Sequence, residues 1–322
     1  MPGNRTRLST HWSKAGEAGS MLGMKTLLLT YRIFGRHVFR IILYPVMAYY
    51  YWIRKDEREA SQEYLKKVKP FLDQDQQNSL SPFQLFMNFG EQLLDKFLVW
   101  MGQIGRDDVV FETQGILDKI DNLGYDKGGV IIVSHLGNTE VCNALAHQLP
   151  NIRLTLLVYT QHAEKYNSLI KKSKDSARIE ILQVTDMSPA TAMILSDRID
   201  DGEYIVIGGD RTPIAGKGRV SDVTFLGDTA PMPQGAFIVA SLLKCPVYLM
   251  FCLKQKGRYH IYVELFSQQI KFNRKERHIA INDVVQGYAS RLEYYCLKAP
   301  MQWFNFFPFW REKSQEINDD RS

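Results

Sequence analysis

The chain has 322 residues, 45% of them hydrophobic and 23% charged, which excludes wholesale disorder and suffices for one large α/β domain with appendages or for two small domains. A net charge of +5 favours anionic surfaces such as lipid, phosphate groups or an acidic carrier protein. No nucleic-acid motif accompanies it, so no nucleic-acid partner is expected. Cys142, Cys245, Cys252 and Cys296 are widely separated and form no CxxC pair, which argues against a disulfide framework or a metal site.

Residues 1–21 are polar and lack an apolar signal core, so a weakly ordered start without a secretory signal is expected. Residues 22–70 read as a membrane-associating helical arm. Within it Ile41–Ile53 gives 13 uncharged residues between Arg40 and Arg54. That is short of the roughly 20 needed to span a bilayer. Tyr49, Tyr50, Tyr51 and Trp52 beside basic residues suit a helix lying in the interface, with a true span or packing on the protein's own core as the alternatives. A charged helix over Asp56–Lys69 ends at Pro70, a polar linker covers Asp73–Ser81, and Ser81-Pro82 opens a helix to about Phe97.

From residue 108 strands and helices alternate. Strands are predicted at Val109–Phe111, Val130–Ser134, Ile152–Tyr159, Glu180–Val184, Glu203–Ile207, Pro246–Leu253 and Tyr259–Phe266. Helices are predicted at Gly115–Leu123, Asn138–Gln148, Ala163–Lys174, Ser188–Asp200, Gln234–Leu243 and about Arg277–Leu297. The pattern predicts an α/β domain over 71–312, a mostly parallel central sheet with helices on both faces, preceded by the N-terminal amphipathic helical arm. Residues 313–322 are a charged, flexible tail.

Three blocks carry candidate chemistry. His135-Leu136-Gly137-Asn138-Thr139-Glu140 follows an apolar strand, which sets the His at the mouth of the sheet. Glu140 would lie about 140° around a regular helix from His135, so the pair meets only if the His stays outside the first turn. Gly137 permits a close approach and Asn138 suits an N-cap. The pair then reads as a His oriented by a carboxylate and able to take a proton from a hydroxyl. A hydrogen-bonded loop His in a chance spacing is the alternative reading. The second block, Gly208-Gly209-Asp210-Arg211, also ends an apolar strand, with Gly209 for close backbone approach, Asp210 and Arg211 to grip a polar group, and Arg219 adding charge beyond. An internal turn with a salt bridge is its alternative. In the third block, a strand with a turn at Gly227 feeds a Pro-initiated helix whose small residues leave room for an acyl chain or simply pack densely.

Together these blocks resemble the lysophospholipid acyltransferase-like superfamily, and within it the lipid A-type late acyltransferase branch. The resemblance rests on His135 and Glu140 as a His-x4-Glu pair, on Asp201-Gly202-Glu203 leading to Asp210, and on Phe225, Gly227, Ala230, Pro233 and Gly235 in an F-x-G-x-x-A-x-x-P-x-G pattern. Pro300-Met301-Gln302-Trp303 resembles the closing P-x-Q-W segment. It implies a membrane-associated O-acyltransferase on the cytoplasmic face of a bacterial inner membrane. The acyl group would pass from an acyl carrier protein or coenzyme A thioester to a hydroxyl of a lipid or glycolipid, with no cofactor. His135 would be the general base and Glu140 its orienting acid. Asn138, Gly209, Asp210, Arg211, Arg219 and Gly227 would contact substrate, and backbone amides near Gly137 and Asn138 would receive the oxyanion. A hydrolase using the same dyad, or a lipid-binding protein without catalysis, are the alternatives.

Overall fold

A computed structural model describes residues 17–100, 102–112, 128–139, 141–142, 153–158, 179–183, 187–211, 219–273 and 275–310. The helices expected at Gly115–Leu123 and Ala163–Lys174 lie outside them, as does most of Asn138–Gln148. The chain divides into units 1–53 and 54–322.

The first unit is one long helix, α1 (Glu17–Ile53), broken at Gly35, whose φ of 76° no helix accommodates. Phe39, Leu43 and Met47 recur every four residues and are buried, whereas Ile41, Tyr44, Tyr49 and Trp52 are exposed. No helix among the described residues is long and apolar enough to cross a membrane.

The second unit opens with α2 (Lys55–Val68), α3 (Gln74–Ser79) and α4 (Pro82–Trp100). The polar stretch expected as a linker contains α3, a correction with a local cause. Asp73 accepts from the Gln76 amide while the Gln76 side chain accepts from the Asp73 amide, a reciprocal cap that holds even six residues helical.

The strands are β1 (Val109–Phe111), β2 (Gly129–Val133), β3 (Leu154–Val158), β4 (Ile179–Gln183), β5 (Tyr204–Gly208), β6 (Val220–Phe225), β7 (Asp228–Pro233), β8 (Val247–Gln255) and β9 (Arg258–Ser267). Seven form one sheet in the order β1-β9-β8-β2-β5-β3-β4, parallel throughout except between β8 and β9. The central strands are covered on both faces, hence their unbroken apolar runs: Val130, Ile132, Ile205, Ile207, Leu249 and Phe251 are fully buried. Helices α5 (Pro189–Asp200), α6 (Gly235–Leu243) and α7 (Arg277–Lys298) follow among the described residues.

β6 and β7 make a separate antiparallel ribbon. Its two-residue turn has positive φ at Leu226 (52°) and Gly227 (81°), the geometry that matches strand twist. The helix expected at Gln234–Leu243 is α6, and the prolines ahead of it belong to the ribbon. Pro231 and Pro233 sit in β7, opposite Asp222 and Val220, because a strand at a ribbon's edge tolerates the missing N–H. The apolar residues of α6 are core: Ala236, Val239, Ala240 and Leu243 are buried.

Candidate active site

The pairing of β2 with β5 builds the site. Val133 lies opposite Gly208, so His135 and Asp210, each two residues further on, emerge side by side at the carboxyl ends of adjacent parallel strands. Asp210 Oδ1 lies 2.7 Å from His135 Nδ1, and Oδ2 accepts from the His135 amide at 2.7 Å. Trp303 Nε1 donates to the same Oδ2 at 3.0 Å. The Asp210 side chain is 1% exposed and that of His135 39%, so a buried carboxylate holds a ring that reaches the surface. Burial alone would raise the Asp210 pKa, but the charge and hydrogen bonds of His135, with Arg211 nearby, hold it below the usual carboxylate range. The carboxylate therefore stays ionised and fixes the proton on Nδ1, which leaves Nε2 as the basic nitrogen of the neutral ring.

A strap from the C-terminal segment crosses this corner. The Phe304 amide donates to the His135 carbonyl at 3.0 Å, and the Gly137 amide to the Gln302 carbonyl at 2.8 Å. Gln302 pairs both ends of its side-chain amide with the backbone of Lys254 on β8. Trp303 is wholly buried, packed edge-on against Tyr64, Phe225 and Phe309 at 4.9, 5.3 and 5.2 Å. Its indole is thereby rigid and aims one N–H at Asp210.

The residues expected at the site distribute as follows. Glu140 lies outside the described residues, and the Nδ1 partner of His135 is Asp210. Asp210 was expected to grip a substrate, but it is buried and committed to His135 and Trp303. Asn138 is also buried, its side chain donating to the Gln92 carbonyl of α4 at 3.1 Å. It ties the His loop to a helix rather than facing a ligand. The oxyanion expectation at Gly137 and Asn138 is corrected on the same ground, since the Asn138 amide donates to Cys252 and that of Gly137 to Gln302.

Gly209 serves packing, not ligand approach: a Cβ there would stand 2.6 Å from Ile132 Cγ2 and 2.9 Å from the Tyr288 ring. Arg211 donates to the Phe304 carbonyl at 3.0 Å and so braces the strap. Arg219 is exposed just before β6, where its carbonyl accepts from the Gln234 amide at 2.9 Å. Gly227 forms the β6–β7 turn beside Phe71, not part of the His135 corner.

Trp303 and Phe304 escaped the sequence reading as site residues. The available signal was an indole in the P-x-Q-W segment, since a buried indole N–H needs an acceptor. Among the described residues no group of three metal-ligating side chains occurs.

Gly137 is the backbone pivot of the loop. Its φ is 72°, and a Cβ would lie 1.9 Å from the Cys252 carbonyl oxygen. Gly137→Ala should therefore cost at least about 1–3 kcal/mol from backbone strain, before the clash is counted. Gly208→Ala, whose Cβ meets nothing within 4 Å, is the control expected to melt close to wild type. Thermal melts of the two variants check this.

A family model described as bacterial lipid A biosynthesis acyltransferase matches residues 6–312. No curated protein matches the chain.

Proposed function

The chain belongs to the bacterial lipid A biosynthesis acyltransferase family and is an acyltransferase of lipid biosynthesis; from that premise we propose that His135 is the general base of an O-acyl transfer from a thioester to a lipid or glycolipid hydroxyl. The observation that carries this reading is the half-exposed imidazole fixed through Nδ1 by the buried Asp210 carboxylate. In the reaction His135 Nε2 takes the hydroxyl proton as the acceptor oxygen attacks the thioester carbonyl carbon. Asp210 stabilises the imidazolium that forms, as the acid of a triad does. The tetrahedral intermediate then collapses, the C–S bond breaks, and the imidazolium returns its proton to the leaving thiolate. The +5 net charge suits an acidic carrier protein as donor, with coenzyme A as the other thioester carrier.

The acceptor would be met on the cytoplasmic face of the inner membrane. The exposed Ile41, Tyr44, Tyr49 and Trp52 of α1, close to Arg40 and Arg54, have the composition of a helix that lies in a membrane interface. Trp52, at 77%, is the most exposed of these four. Losing one such anchor removes about 1.5–3 kcal/mol of burial, so Trp52→Glu should weaken binding to anionic vesicles about tenfold to a hundredfold in a sedimentation assay.

The test of the function is turnover of acyl-carrier-protein and coenzyme A thioesters with a total lipid extract, with products resolved by mass. Acylated lipid is the expected product. Free fatty acid alone would instead favour hydrolysis by the same corner.

A further inference from the structure

The strap Trp303-Phe304-Asn305-Phe306-Phe307-Pro308-Phe309-Trp310 is aromatic at six of eight positions, and Asn305 interrupts it. Asn305 is 3% exposed, and neither its Nδ2 nor its Oδ1 has a hydrogen-bond partner. No other buried side chain among the described residues leaves two polar atoms in that state. An unpaired buried amide costs about 1–3 kcal/mol, which a leucine of similar volume would not. Packing alone gives no reason for an asparagine here.

Its direction follows from its neighbours. Phe304 and Phe306 both send their rings to Phe89 on α4, at 5.5 and 5.1 Å. Trp303 is extended (φ −88°, ψ 103°), and alternation continued from it would turn Asn305 to the side on which Trp303 meets Asp210. The Phe304 amide, one residue before, is bonded to the His135 carbonyl.

Oxyanion stabilisation needs a donor for the carbonyl oxygen that becomes negative as the acceptor attacks, and two loop amides that follow His135 do not supply it. The amides of Gly137 and Asn138 are spent on Gln302 and Cys252. We propose that Asn305 Nδ2 is that donor: it hydrogen-bonds the thioester carbonyl oxygen and strengthens that bond as the oxygen takes on charge. A neutral side-chain amide that is itself buried suits this task, because it is oriented before the charge develops. The inference rests on His135 as the base of the transfer reaction.

The test is Asn305→Leu, with Asn305→Ala as the variant that cannot overpack. Each is compared with wild type and His135→Ala for thermal midpoint, kcat and KM. The expected result is a midpoint at or above wild type for Asn305→Leu, with kcat lowered about 10²–10³-fold in both Asn305 variants and KM little changed. A lowered midpoint with kcat per folded molecule near wild type would make Asn305 a structural residue and overturn the proposal, as would wild-type behaviour in every readout. If His135→Ala abolishes transfer and the Asn305 variants do not, only this proposal falls. If His135→Ala transfers normally, the reading beneath it falls as well.

Discussion

Asp210→Asn should keep the fold and lower acyl transfer by about 10²–10⁴, no more than loss of the base itself and up to the loss seen when the acid of a catalytic triad becomes an amide. An asparagine has the same outline but brings a donor to a corner where three donors already converge: the His135 amide, His135 Nδ1 and Trp303 Nε1. Either the amide turns its NH2 on one of them, or the imidazole moves its proton to Nε2 and ceases to be a base there. Both outcomes remove the stabilised imidazolium. The structural cost should be about 1–3 kcal/mol for the mismatched bond, visible as a modest fall in melting temperature. Because the carboxylate is held below its ordinary range, the stability it lends is complete above its unfolded value and lost as pH falls through the lower folded one. At neutral pH the wild type therefore has the full benefit, and the rate comparison belongs there.

His135→Ala should lower kcat by about 10²–10⁴, the contribution of a positioned general base. Folding should survive better than function. The side chain is 39% exposed, and the loop is held by main-chain bonds to Phe304 and Asp210 that alanine keeps. A residue that only packed the corner would show the reverse pattern, a lower melting point with little loss of rate.

Much of this architecture was readable before any coordinates. The apolar runs that became β2, β5 and β8 announce strands buried on both faces, and a His at the end of one such run announces a site. Local pattern failed where the deciding contact is distant in sequence. Asp210 was legible as an acid at a strand end, yet its bond to His135 spans 75 positions and exists only because β5 lies beside β2. Nothing near residue 210 encodes that neighbour. Trp303 is further still, reaching Asp210 across 93 positions. The glycines misled for a related reason. Gly209 looked like an opening for ligand, but the space it leaves is filled by Ile132 and Tyr288.

The dependence of transfer on an Asp210-held His135 is tested most directly by the double variant His135→Ala/Asp210→Asn, assayed beside both single variants for lipid acylation by the same thioester. If Asp210 acts through His135, removing the base leaves the acid nothing to orient, and the double variant should match the slower single variant to within about twofold. Losses that multiply would mean that the two residues act separately, and would contradict the dyad.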